Sequence, residues 1–63
     1  MTLAEAYRTA VDMQSRLGEE AVHVAAEHAD ACLRESDMNG FKDWNCVFAM
    51  LKELARADLK TAH

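Results

Sequence analysis

The sequence contains no proline and no isoleucine, and only two of its 63 residues are glycine. Seven residues are β-branched, whereas twelve are alanine. Because β-branched residues favour strands and alanine is the strongest helix former, this composition argues against β-structure. Hydrophobic residues make up 51% of the chain, which argues against disorder. The composition therefore predicts helices joined by tight turns.

Further absences exclude several classes of function. No uncharged apolar run approaches the ~20 residues that span a bilayer, and no basic segment followed by an apolar stretch marks a secretory signal. The net charge of −4 argues against nucleic-acid or anionic-membrane binding, since both need a basic patch. The two cysteines, Cys32 and Cys46, lack the spacing of a metal or redox motif. We therefore expect a cytoplasmic protein with free thiols, without nucleic-acid or membrane partners, and without a cofactor.

The chain is so short that we expect it to be stabilised by a partner. Sixty-three residues make a single domain, here residues 1–63. A domain of this size buries only about 60% of the surface that its unfolded chain exposes, so it is marginally stable on its own. Small domains usually gain the missing stability from a disulfide, a metal or a further chain.

Helix signals place the first helix at about 3–17. Thr2 and Glu5 have the spacing of a capping box, in which each side chain accepts a hydrogen bond from the other residue's backbone N–H. Gly18 follows the last apolar residue, where a helix favours a left-handed residue. Between these ends, apolar and small residues recur at helical spacing. This stripe consists of Leu3, Ala6, Tyr7, Ala10, Met13, Gln14 and Leu17.

The second helix is predicted at about 19–35. Glu19 and Glu20 open it, where carboxylates favour the positive end of the helix dipole. Its predicted apolar face is mostly alanine, which lets a neighbouring helix approach closely. This face consists of Val22, Ala25, Ala26, Ala29, Cys32 and Leu33.

The third helix is predicted at about 38–60, with Ser36 or Asp37 as its N-cap. Asp43 is an alternative cap, but a single apolar seam already begins at Phe41, before that residue. Starting the helix earlier places Gly40 in its first turn, at a cost of about 1 kcal/mol relative to alanine. The seam consists of Phe41, Trp44, Phe48, Leu51 and Ala55.

The third helix carries more apolar side chain than two alanine-rich helices are expected to cover. We therefore predict an all-α, three-helix unit that self-associates into a larger helical bundle, most simply a homodimer. The function predicted is a non-enzymatic interaction or accessory module. A small regulatory subunit of a larger enzyme has the same sequence pattern and remains open. The predicted interface residues are Phe41, Trp44, Phe48, Leu51, Leu54 and Tyr7, with Leu17 also covering part of the third helix.

Two spacings have metal-binding chemistry. Glu20 and His23 lie three residues apart, as in di-iron carboxylate bundles, and Glu27 lies one turn beyond. A homodimer could double such a pair, so a carboxylate–histidine metal site is an alternative function. His28 and Cys32 could ligate zinc, but no second pair of ligands accompanies them. We expect no metal site, because Glu20 and His23 lie on the polar face of their helix.

Part of the chain resembles a group of short bacterial helical proteins known only as a domain of unknown function. The resemblance covers about residues 17–54 and implies the same three helices but no catalytic residue. In that family a Gly-Asp pair often opens the third helix, whereas Ser36 stands at the glycine position here. The matching residues are Leu17-Gly18-Glu19-Glu20-Ala21, Ala25, Ala29, Asp37-x-x-Gly40-x-x-x-Trp44, Leu51 and Leu54.

Overall fold

The chain forms three helices joined by two short turns. A computed structural model describes the backbone of residues 1–61 and the side chains of residues 1–57. Helix α1 spans Leu3–Leu17, α2 spans Glu20–Arg34 and α3 spans Met38–Thr61. The predicted all-α fold is confirmed, and the predicted helix ends agree with these bounds to within one residue.

The capping box of α1 forms as predicted, whereas Gly18 ends the helix at a positive φ but not in the left-handed helical conformation that was expected. The Thr2 hydroxyl accepts a hydrogen bond from the Glu5 N–H at 3.1 Å, and the Glu5 carboxylate accepts one from the Thr2 N–H at 2.8 Å. At the other end Gly18 has φ 59° and ψ −132°, a conformation that only glycine adopts readily. Its N–H donates to the Gln14 carbonyl at 2.9 Å, which closes the helix.

The turn between α2 and α3 is a Schellman motif. The Asp37 N–H donates to the Cys32 carbonyl at 2.8 Å, and the Ser36 N–H donates to the Leu33 carbonyl at 3.1 Å. Ser36 has φ 60°, the left-handed conformation that usually selects glycine. Asp37 is the N-cap of α3, because its carboxylate accepts a hydrogen bond from the Gly40 N–H at 3.0 Å. Ser36 therefore adopts a backbone conformation that glycine usually occupies.

Helices α2 and α3 run antiparallel. Cys32 lies against Gly40, and one turn further into the pair His28 stacks on Trp44. Helix α1 packs mainly against α3, and its start is held there by the amino group of Met1, which lies 3.2 Å from Asp43 Oδ1. The third helix is thus the element that the other two share.

The core is small and alanine-rich. Among the described side chains, those that are buried are Ala6, Ala10, Met13, Ala21, Ala25, Ala29, Val47 and Leu51. The predicted apolar face of α2 is partly wrong, because Ala26 and Leu33 are exposed whereas Ala21 is buried. The helix is therefore rotated about its axis, so that Ala21, Ala25 and Ala29 face the core. Alanine at these positions lets the backbones approach closely but buries little area.

The molecule is elongated and exposes much surface for its mass. Its dimensions are 42 × 21 × 17 Å, and it exposes 4663 Å². A compact fold of 7.0 kDa exposes about 4,000 Å². Within the described residues, no helix is long and apolar enough to cross a membrane.

Candidate interaction surface

The predicted interface residues of α3 divide into two groups. Leu51 is 1% exposed and belongs to the core, so it is not part of any surface that the folded chain presents. The other four lie at the margin of the core and keep part of their surface accessible to water. These four are Phe41, Trp44, Phe48 and Leu54. The structure thus leaves the aromatic residues of α3 incompletely covered.

Trp44 is covered on one face by a residue from α2. The rings of His28 and Trp44 stack with their centroids 4.3 Å apart and their planes 15° from parallel. The sequence gives no sign of this contact, because His28 and Trp44 belong to different helices. The contact spans two helices and depends on their packing register.

Phe48 is covered in a different way, by its own helix. The Lys52 ammonium lies 5.5 Å from the centre of the Phe48 ring, within the range of a cation–π contact. Because Lys52 is exposed and flexible, this cover is displaceable by an apolar partner.

Among the described residues, more large apolar side chains are exposed on α1 than on α3, where Met38 is 49% exposed. Leu3 is 70% exposed, Tyr7 51%, Leu17 42% and Val11 39%. Leu3 and Val11 are absent from the predicted interface, although their four-residue spacing from Tyr7 is visible in the sequence. Tyr7 and Leu17 were predicted to cover part of α3, and they keep about half of their surface free.

An open groove of about 400 Å³ runs between the helices beside Trp44. It is lined mainly by α1 residues, including Thr9, Met13 and Leu17, together with His28. At its edge Asp12 and Arg16 form an ion pair at 2.6 Å, so the charged groups near the groove are paired with each other. The accessible surface of the groove is mainly apolar and includes the side chains of Met13, Leu17 and Trp44.

The Cys32 sulphur lies close to Gly40 and to the Asp37 carboxylate. This environment shifts the pKa of the Cys32 thiol. A β-carbon at position 40 would lie 2.8 Å from the Cys32 sulphur and would also clash with the Asp37 carboxylate. Desolvation, followed by the nearby Asp37 charge and its hydrogen bond, raises the pKa of the Cys32 thiol. A raised pKa lowers the fraction of the Cys32 thiol that is present as reactive thiolate at neutral pH. Both Cys32 and Cys46 are free thiols in the structure.

The metal candidates are not brought together within one chain. Glu20, His23 and Glu27 all lie exposed on α2. Among the described residues, no group of three or more histidine, cysteine, aspartate or glutamate side chains is arranged to hold a metal ion.

Comparison with known proteins adds no family assignment. No protein-family model matches the sequence, and no curated protein or solved structure is significantly similar to it. The resemblance to short bacterial helical proteins therefore stays a prediction, and the surface geometry is the basis for the functional proposal.

Proposed function

We propose that the chain is a non-enzymatic interaction or accessory module, which buries apolar side chains of α1 and α3 against another protein chain. The observation that carries this proposal is the contrast between core and surface. Among the described side chains, Val47 and Leu51 are the largest that are fully buried, whereas Leu3 and Tyr7 each expose at least half of their surface.

The surface area supports the same proposal. The chain exposes roughly 600 Å² more than a compact fold of its mass. Incompletely buried aromatic residues lie at the margin of this surface, and such residues often dominate binding energy. The exposed apolar side chains of α1 and the incompletely buried aromatic residues of α3 therefore support a contact with another chain.

Native mass spectrometry of protein from gently lysed source cells tests the proposal. We expect the chain in a complex, either with further copies of itself or with another protein. Two variants of α1 test whether its exposed apolar surface is needed for assembly. Tyr7→Ser removes an exposed aromatic ring, whereas the matched control Ser15→Ala alters an exposed polar position of the same helix. Complex formation should be weakened by the first variant and unchanged by the second.

A chain found only as a monomer in this experiment would contradict the proposal. The proposal would also be contradicted if Tyr7→Ser left every complex intact, since the exposed α1 surface would then be irrelevant to assembly. The spectrum also reports any bound metal, which separates this proposal from a metal site that two chains share.

A further inference from the structure

The contact between α2 and α3 includes a pair of rings of which one can change its charge. The imidazole of His28 stacks on the indole of Trp44, with the ring centroids 4.3 Å apart and the planes 15° from parallel. His28 is exposed, whereas Trp44 is half-buried and packs against the core. The imidazole therefore has access to protons from water while one of its faces lies against the indole.

Protonation changes the strength of such a contact. Imidazole gains or loses its positive charge between about pH 5 and 8. A neutral imidazole interacts with the indole ring by stacking alone, whereas the negative face of the indole also attracts an imidazolium. Tryptophan is the aromatic side chain that attracts cations most strongly. The contact between His28 and Trp44 is therefore stronger when the imidazole is charged.

Two ion pairs lie beside His28, and neither adds net charge. On α1, Asp12 and Arg16 line the same groove as the ring pair and are 2.6 Å apart. On α2 itself, Asp30 and Arg34 line a second cleft that His28 borders, and they are 3.7 Å apart. Because each pair combines one positive and one negative group, their effects on the imidazole largely cancel.

The other groups near the ring pair are neutral or negative. On α2, Glu27 lines the second cleft with an exposed carboxylate, and Cys32 is a neutral thiol because desolvation raises its pKa. On α3, Asp43 precedes Trp44 and pairs with the amino group of Met1 at 3.2 Å. The positions three and four residues before and after Trp44 are uncharged. The described groups around the rings therefore sum to a negative charge, which attracts an imidazolium.

We propose that the stack of His28 on Trp44 is a pH-sensitive contact, which holds α2 against α3 more strongly when His28 is protonated. The two rings meet only in the folded chain. The added stability is therefore present in mildly acidic solution and is lost as the pH rises above neutral. Both rings also line the groove beside α1, so protonation strengthens one wall of that groove. This inference is independent of the proposed function.

A double-mutant cycle at two pH values tests the proposal. Wild type, His28→Gln, Trp44→Leu and the double variant are unfolded with urea at pH 5.5 and at pH 8.0, followed by circular dichroism. The cycle isolates the interaction between the two side chains, because groups that titrate in all four proteins cancel. We expect the factor by which this interaction raises the folding equilibrium constant to be about two- to fivefold larger at pH 5.5. An equal factor at both pH values, or a larger one at pH 8.0, would overturn the proposal.

His23 supplies the matched control, because it is an exposed histidine on the same helix. A cycle of His23→Gln with Trp44→Leu should give the same interaction factor at both pH values. If Trp44→Leu fails to fold, the single variants decide the question. Lowering the pH from 8.0 to 5.5 should then increase the stability of wild type relative to His28→Gln more than its stability relative to His23→Gln. Equal responses of the two histidine variants would contradict a pH-sensitive contact at Trp44.

Discussion

At the scale of single residues, the turn between α2 and α3 is held by a serine in a backbone conformation that favours glycine. Ser36 has φ 60°, and a residue with a β-carbon is strained there by roughly 1–2 kcal/mol. The hydrogen bonds around it show that the turn nevertheless forms completely. The strain is therefore compensated by the Schellman hydrogen bonds and by the cap that Asp37 provides.

Replacing this serine should stabilise the protein. We expect Ser36→Gly to raise the free energy of unfolding by about 0.5–1 kcal/mol, because relief of the strain exceeds the added flexibility of the unfolded chain. Ser15→Gly, at an exposed position inside α1, is the matched control and should lower stability by roughly 0.5 kcal/mol. Urea unfolding followed by circular dichroism measures both. A loss of stability in Ser36→Gly would show that the left-handed turn is absent in solution.

The glycine at position 40 illustrates the opposite case, in which a better helix former should harm the fold. We expect Gly40→Ala to lower the free energy of unfolding by at least about 1 kcal/mol, because the added methyl group overlaps the Cys32 sulphur and the Asp37 carboxylate. Adding Cys32→Ala should recover part of the loss, since residues in contact give non-additive effects. Asn39→Ala, one position earlier and exposed, should be neutral or slightly stabilising. A stabilising Gly40→Ala would contradict the close packing of α2 on α3.

At the scale of helices, the ends were predictable and the rotations were not. Thr2, Gly18 and Asp37 act locally, through hydrogen bonds or backbone angles within a few residues, so the sequence contains the needed information. The buried face of α2 depends instead on how its many alanines fit against α3. Since alanine occurs all around this helix, the hydrophobic pattern does not distinguish Ala21 from Ala26.

The candidate surface was also only partly predictable. The sequence predicts that α3 carries more apolar side chain than the core covers, and four of the predicted interface residues keep part of their surface accessible to water. It does not show that His28 covers Trp44 or that Leu51 lies inside the core, because both depend on the packing of one helix on another. The exposure of Leu3 and Val11 follows from the position of α1 on α3, which no local pattern specifies.

The cap of α1 should make the stability of this helix depend on pH. Hydrogen bonds from Thr2, from its backbone first and its side chain second, lower the pKa of the Glu5 carboxyl below its ordinary value of 4.5. A lowered pKa in the folded state means that the contribution is fully present above the unfolded value and is lost as the pH falls through the folded value. We therefore expect wild type to be more stable than Glu5→Gln at pH 7, and the difference to shrink toward pH 3.

Glu27→Gln, at an exposed position in the middle of α2, is the control for this pH series and should show a smaller change with pH. Thermal unfolding at intervals between pH 7 and pH 3 provides the comparison. A stability difference between wild type and Glu5→Gln that stays constant over this range would show that the capping carboxylate is not engaged in solution.

At the scale of the whole molecule, the structure combines an alanine-rich core with a surface larger than its mass requires. The close approach of the helices that alanine permits leaves little apolar area inside, and the larger side chains of α1 and α3 remain at the margin or outside. Burial against a second chain would supply the area that the monomer lacks. Folding and association of this protein are therefore expected to be coupled.

The dependence of the unfolding temperature on protein concentration tests this coupling most directly. If a second copy of the chain covers the exposed apolar side chains of α1, raising the concentration from 2 to 200 µM should raise the unfolding midpoint by roughly 5–10 °C, and Tyr7→Glu should abolish the increase. An unfolding midpoint that stays the same at both concentrations would contradict the claim that a second copy covers this surface.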